Sequence, residues 1–226
     1  MNVYATESIR NVVLLGHGGC GKTSLIESMA FTTGIIKRVR TVTEGGTVSD
    51  YDKEEVKRKF SIQSSDTPGF FDFSGEVYEA LSVADGAIIV INGKSGVEVG
   101  TRKSFDFCAK RGIPVIVYIT CVEDEHVDAS AIIDELRESY GNKIVPFHMP
   151  MKEGTEFKGF INADKMLECR LQPNGTYYEK EVEEGVNDEL DEYRQQLMEG
   201  VAETSEELME KFFAEEPFTE EEIKTA

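Results

Sequence analysis

The chain has 226 residues, 40% hydrophobic and 30% charged, with a formal net charge of −19. That size fits one medium domain, or one domain carrying an inserted subdomain, with the composition of a soluble globular protein. No apolar run approaches the roughly 18 residues that span a bilayer, which excludes a membrane-spanning helix, and the acidic balance speaks against binding naked DNA.

Taken in order, residues 11–15 read as a short buried strand, carrying Val12-Val13-Leu14-Leu15. Gly16-His17-Gly18-Gly19-Cys20-Gly21-Lys22-Thr23 follows, and a helix is expected over 22–31 with Leu25, Ile26 and Met29 facing inward. Residues 34–60 are charged and loop-rich, broken by Gly34, Gly45 and Gly46. Helices fit at 75–83, 100–111 and 128–140, and buried strands at 87–91 and 114–119. The apolar runs of those strands barely alternate, as in parallel strands covered on both faces. The alternation predicts an α/β fold of the P-loop NTPase type, a doubly wound, mostly parallel sheet with its ligand at the carboxyl ends of the strands.

From about Val145 the pattern changes to short strands near 145–151 and 157–163, then a turn at Gln172-Pro-Asn-Gly175. One long amphipathic helix is expected next, with Leu190, Tyr193, Leu197, Val201, Leu208 and Phe212 near helical spacing. The expected organisation is a core over 1–144 and an inserted acidic α+β subdomain with return helices over 145–226.

The run from Gly16 to Thr23 is a complete G-x-x-x-x-G-K-T motif between a strand and a helix. Its glycines let successive backbone N–H groups turn around a phosphate, and the following helix points its positive end at the same anion. Lys22 can reach the β- and γ-phosphates, and the Thr23 hydroxyl can ligate Mg²⁺. The nucleotide contacts read here are Gly16, His17, Gly18, Gly19, Cys20, Gly21, Lys22, Thr23 and Ser24. A second motif, Asp66-Thr67-Pro68-Gly69, adds an Asp for the Mg²⁺ shell and a glycine N–H for the γ-phosphate. Alone it is only a turn; after a P-loop it points to a nucleotide switch and to GTP ahead of ATP.

These motifs, with Asp66-Thr-Pro-Gly-x-x-Asp-Phe73, Glu76-Val77, Leu81, Ala84-Asp-Gly-Ala87 and the stretch from Val201 to Phe213, resemble the G domain of bacterial translation elongation factor G. The resemblance covers nearly the whole chain. It implies a cytoplasmic, ribosome-dependent GTPase with GTP or GDP and Mg²⁺ as ligands, the ribosome being the partner of a longer protein. It also implies one more strand and a base-binding Ser-Ala loop beyond Ala226, so the sequence is read as ending before that loop; Ser130-Ala131 falls inside a predicted helix.

Departures from the family pattern qualify that expectation. Where the family has the water-positioning His after D-T-P-G, this chain has Phe70, which neither donates nor accepts a hydrogen bond. Losing such a group costs about 10²–10⁴ in rate. Lys22 and position 70 are thus the candidate catalytic positions, with hydrolysis expected weak. The family's Asn-Lys-x-Asp is Cys121-Val122-Glu123-Asp124: Asp124 can accept the guanine N1 and N2 hydrogens, while Cys121 and Val122 replace the bracing Asn and the stacking Lys. Guanine selectivity is therefore expected to fall, and Asp124 has an alternative role as cap of the helix beginning near 128. Ser61 takes the place of the Mg²⁺-closing Thr of the first switch, giving Thr23, Ser61 and Asp66 as candidate metal ligands. Yet only Ile62 to Ser65 separate Ser61 from Asp66, and the strand into Asp66 needs about five residues, or roughly 17 Å. Either residues between them are missing from this sequence, or the first switch no longer works.

Cys20, Cys108, Cys121 and Cys169 are widely spaced, and His17, His126 and His148 lack metal-ligand spacing, so reduced thiols in a cytosol are expected. The N-terminus is neither cationic nor apolar enough for a secretory signal. The acid clusters after Glu179, which reads as a solvated helix face or as a surface for a basic ribosomal protein. Two rival functions stay open: an unselective P-loop NTP-binding protein, favoured by Cys121 and Val122, and a non-hydrolysing ribosome-binding module, favoured by Phe70.

Overall fold

A computed structural model of the chain describes residues 5, 8–50, 57, 74–172, 176–182 and 187–226. They form two compact units, Met1–Cys121 and Val122–Ala226. Ser61, Asp66, Gly69 and Phe70 lie outside the described residues.

In the first unit, β1 (Val12–Gly16), β2 (Gly86–Asn92) and β3 (Val115–Thr120) form a parallel sheet in the order β1-β2-β3. Ile89, Val90 and Ile91 are completely buried, as the central strand of a covered sheet requires. The register pairs Gly16 with Val90 and Asn92 with Thr120, which brings the carboxyl ends of all three strands to one edge. β3 departs from the expected burial on both faces: Ile116 and Tyr118 are exposed, 67% and 46%. β3 is the last strand in the sheet order, and its burial alternates along its first residues.

Among the described residues, α1 (Lys22–Thr32), α2 (Ser74–Ser82) and α3 (Val99–Arg111) accompany this sheet. α3 buries Thr101, Ser104, Phe105 and Cys108, a stripe at i, i+3, i+4 and i+7. It ends at Gly112, whose φ of 65° allows Ile113 N–H to donate to the Cys108 carbonyl at 3.1 Å. Burial pushes the Cys108 thiol up to about 11, leaving it protonated and unreactive. Tyr78 of α2 packs on Phe107 with ring centroids 4.9 Å apart, and the Arg111 guanidinium lies 5.6 Å over the Tyr78 ring.

The inward face of α1 differs from expectation. Leu25 and Ile26 pack on the cluster of Leu14, Cys20 and Val90, but Met29 is exposed and the buried residues are Lys22, Glu27 and Ala30. Glu27 replaces a hydrophobe on the buried face because its carboxylate is fully used: one oxygen accepts from Arg40 N–H at 3.1 Å, the other from Val48 N–H.

The second unit carries α4 (Ala129–Tyr140), one 3₁₀ turn (Gly141–Lys143) and an antiparallel sheet. Its strands β4 (His148–Glu153), β5 (Glu156–Asn162), β6 (Leu167–Leu171) and β7 (Tyr177–Glu181) pair in chain order. Met149, Ile161, Ala163, Met166, Leu190 and Tyr193 form the core beneath it. β4 and β5 fall near their predicted positions; β6 and β7 are additional to the predicted elements. β7 is Tyr-Tyr-Glu-Lys-Glu, exposed throughout, so it shows no buried alternation. In β6 the inward Glu168 is held by Arg170, which also reaches Glu153 at 2.9 Å, so a paired charge stands where a hydrophobe would mark the strand.

The expected long C-terminal helix is three helices, α5 (Asp188–Ala202), α6 (Glu206–Phe213) and α7 (Glu220–Thr225). Leu190, Tyr193, Leu197 and Val201 are buried on α5, whereas Leu208 and Phe212 are half-buried on α6. The breaks follow the caps. Ser205 accepts from Leu208 N–H at 3.2 Å, and Thr219 with Glu222 forms a reciprocal capping box. No helix among the described residues is long and apolar enough to cross a membrane.

Candidate functional site

The site is built where β1 turns into α1. Gly16 ends β1 with φ 139°, Gly19 has φ 79° and Gly21 has φ 106°, conformations that glycine alone adopts without strain. Gly21 occupies the cap position of α1 and, as a glycine, has no side chain to cap it. A helix start with a glycine cap at the carboxyl edge of a parallel sheet fits an anion.

Lys22 is buried, and its ammonium donates to the carbonyls of Gly16 at 3.3 Å and His17 at 3.1 Å. A longer contact reaches Cys20 Sγ at 3.9 Å. All three of these partners belong to the cation's own loop. The two carbonyls hold the side chain folded over the loop, and an incoming phosphate oxygen offers the same ammonium a charge-assisted bond of greater strength. The buried cation, the positive-φ glycines and the glycine-capped helix start together fit a phosphate group. Thr23 and Ser24 lie in the first turn of α1. Thr23 is the one candidate Mg²⁺ ligand among the described residues.

Neighbouring elements fix the loop in ways that the motif does not reveal. The Thr120 hydroxyl, at the end of β3, donates to the Cys20 carbonyl at 3.0 Å. Its methyl group lies 3.3 Å from where a Cβ on Gly21 would stand. His17 Nε2 lies 3.6 Å from Glu98, the residue before α3. A Cβ on Gly100 would fall 2.7 Å from His17 Cα, so Gly100 lets α3 approach the loop closely. Glu27 ties the 40–48 segment to the helix that carries Lys22. Glu27, Glu98, Gly100 and Thr120 belong to no sequence motif. A carboxylate between the hydrophobes Ile26 and Ala30 is the one signal that sequence offers for them.

The Cys121–Asp128 stretch follows β3. Cys121 has φ 60°, a left-handed conformation uncommon for a residue other than Gly, Asn or Asp. Asp124 Oδ1 accepts from His126 N–H at 3.0 Å, and the Asp124 carbonyl accepts from Val127 N–H at 3.2 Å. Asp124 is not the helix cap: Asp128 fills that position, accepting from Ala131 N–H at 3.1 Å. The Lys152 ammonium on β4 donates to the carbonyls of Asp124 at 2.7 Å and Val127 at 2.9 Å.

Comparison with known proteins places these features in a family. Residues 7–219 match the family model of the elongation factor Tu GTP binding domain. A crystal structure of a protein from Thermus thermophilus superposes with a TM-score of 0.86 at 32% sequence identity. The superposition covers 96% of this chain and 34% of the other, so the chain spans about a third of that protein's length. The chain belongs to the elongation factor Tu GTP binding domain family.

Proposed function

We propose that this GTP-binding, elongation-factor-type G domain serves an elongation factor G-like translational GTPase acting on the ribosome. The positive-φ glycine loop leading into α1 and the buried Lys22 folded over it are the observation that carries this reading. Gly16 to Ser24 hold the phosphates of GTP or GDP, Thr23, Ser61 and Asp66 hold Mg²⁺, and Asp124 reads the base. When bound, Mg²⁺ neutralises charge between the β- and γ-phosphates. In the chain itself, Lys22 neutralises phosphate charge, Gly69 offers its N–H, and the glycines keep the backbone N–H groups turned inward. The nucleotide core runs over 1–144, and the acidic part over 145–226 is the surface for a basic ribosomal protein. The cytoplasm is the compartment that this role requires.

Phe70 supports a second reading, a ribosome-binding module that holds GTP and hydrolyses it slowly, because a benzyl side chain cannot orient water. Calorimetric titration with GTP, GDP and ATP in Mg²⁺, with Lys22→Ala as control, tests the first reading. Guanine nucleotides bind ahead of ATP and the variant loses binding by about tenfold or more, the worth of a charge-assisted bond. Equal binding by the variant would remove the P-loop from the assignment. Phosphate release with ribosomes tests the second: Phe70→His raises turnover about 10²-fold or more. A parent already turning over as fast as that variant would sink the slow-hydrolysis reading.

A further inference from the structure

The stretch after β3 lacks the bracing Asn and the stacking Lys of the family pattern. The Cys121 thiol is a weak donor and Val122 has no donor or acceptor. Its carbonyls at Asp124 and Val127 instead share one ammonium, that of Lys152, 28 and 25 residues further on. Three features surround that contact. The antiparallel ladder shifts register between Met151 and Lys152, where Lys158 of the facing β5 is the extra residue and the twist of the pair increases locally. Beside the extra residue, Gly159 has φ 147° and a Cβ there would fall 2.0 Å from the Cys169 carbonyl, so β5 is held close to β6 at this point. Both accepting carbonyls belong to the turn in which Asp124 Oδ1 is bonded to His126 N–H. That bond orients the carboxylate, while the ammonium fixes the backbone bearing it.

The geometry points to Lys152 as a positioning residue for nucleotide-base selection, acting through Asp124 without touching the nucleotide. Lys152 pins the backbone on both sides of the Glu125-His126 tip, so the Asp124 carboxylate is presented in one orientation. Preorganisation of this kind shows in selectivity, because only a ligand that uses the carboxylate gains from its being held. The assignment rests on the reading of Asp124 as the base-reading group.

The test measures affinities for GDP and ADP in the parent chain, Lys152→Met, Lys152→Arg, Asp124→Ala and the Lys152→Met/Asp124→Ala double variant. Methionine keeps an unbranched stem and removes the donors. Lys152→Met is expected to lower the GDP-to-ADP affinity ratio by about tenfold, the worth of one charge-assisted hydrogen bond. ADP affinity stays unchanged, Lys152→Arg restores most of the ratio, and the double variant is no less selective than Asp124→Ala alone. Equal loss of GDP and ADP affinity in Lys152→Met would make Lys152 a structural brace and overturn the proposal. A ratio that falls in Asp124→Ala but not in Lys152→Met would overturn it while leaving the base-reading assignment intact. A ratio unmoved by Asp124→Ala would overturn both.

Discussion

Substituting Gly16 by alanine tests whether the phosphate loop depends on close backbone approach. Gly16 ends β1 with φ 139°, and its register partner is Val90 on the fully buried central strand. A Cβ at Gly16 would lie 2.3 Å from the Val90 carbonyl oxygen and 2.9 Å from Cys20 Sγ. The nearer neighbour is backbone in the middle of a sheet, so it cannot rotate away. Backbone strain contributes about 1–3 kcal/mol, and overpacking another ~1–3 kcal/mol. The sum is about 2–6 kcal/mol, against a domain stability of about 5–15 kcal/mol.

Gly19→Ala is the internal control. Gly19 has φ 79°, and among the described residues no atom beyond its chain neighbours lies within 4 Å of its Cβ position, so the penalty is conformational, about 1–2 kcal/mol. At about 2–4 °C per kcal/mol for a chain of this size, Gly16→Ala lowers Tm by roughly 4–24 °C and Gly19→Ala by roughly 2–8 °C. Thermal melts followed by far-UV circular dichroism give both numbers. A Gly16→Ala protein melting within about 2 °C of the parent would refute the reasoning, because no local adjustment short of breaking the β1–β2 pairing relieves a 2.3 Å contact.

Cys121→Asn places a residue that tolerates the left-handed region where φ is 60°. It is expected to stabilise the protein by about 0.5–1 kcal/mol in urea titrations and to raise the GDP-to-ADP affinity ratio; a lower Cm would count against it. Glu27→Ala removes the acceptor of the Arg40 and Val48 N–H groups. It should cost about 1.5–3 kcal/mol, with faster hydrogen exchange at those amides; unchanged protection would show that the 40–48 segment is held by other means. The Lys211 ammonium, followed by the Thr219 N–H, holds the Glu222 carboxyl down to about 2. Because this folded value lies below the ordinary 4.5, the stabilisation is present above about pH 4.5 and is lost as pH falls towards 2. Carbon chemical shifts of Glu222 in an NMR titration should therefore move below pH 4.5, and Lys211→Met should bring the midpoint up towards that value. A parent midpoint near 4.5 would mean the pair does not form in solution.

The phosphate loop is legible in sequence because its causes are local. Glycines at 16, 19 and 21, an apolar strand before them and a helix after them are contiguous in sequence, and the positive φ angles follow from the same residues. The central strand β2 is legible for a related reason: five consecutive hydrophobes can be buried only between two covered faces. Outcomes governed by distant partners cannot be read this way. Periodicity turns Met29 inward, but Glu27 takes a buried position because two backbone N–H groups from residues 40 and 48 need an acceptor there. Periodicity likewise joins α5 to α6, although Ser205 supplies a cap that starts a new helix. β6 is camouflaged by the Glu168–Arg170 pair, and β7 by complete exposure.

The stretch after β3, proposed to read the base, shows the same division. Its altered residues, Cys121 and Val122, are visible in sequence and predict a weakened loop. The compensating cation at Lys152 comes from β4, and no spacing rule connects a lysine in a hairpin to carbonyls 25 and 28 residues earlier. On the proposed role of Lys152, a motif read in isolation overstates the loss. Restoring asparagine at 121 and removing the ammonium at 152 are opposite perturbations of one loop, so the two effects on selectivity should be non-additive when combined. Cys121→Asn should rescue part of the selectivity lost in Lys152→Met, and strict additivity of the two would show that they act on separate features.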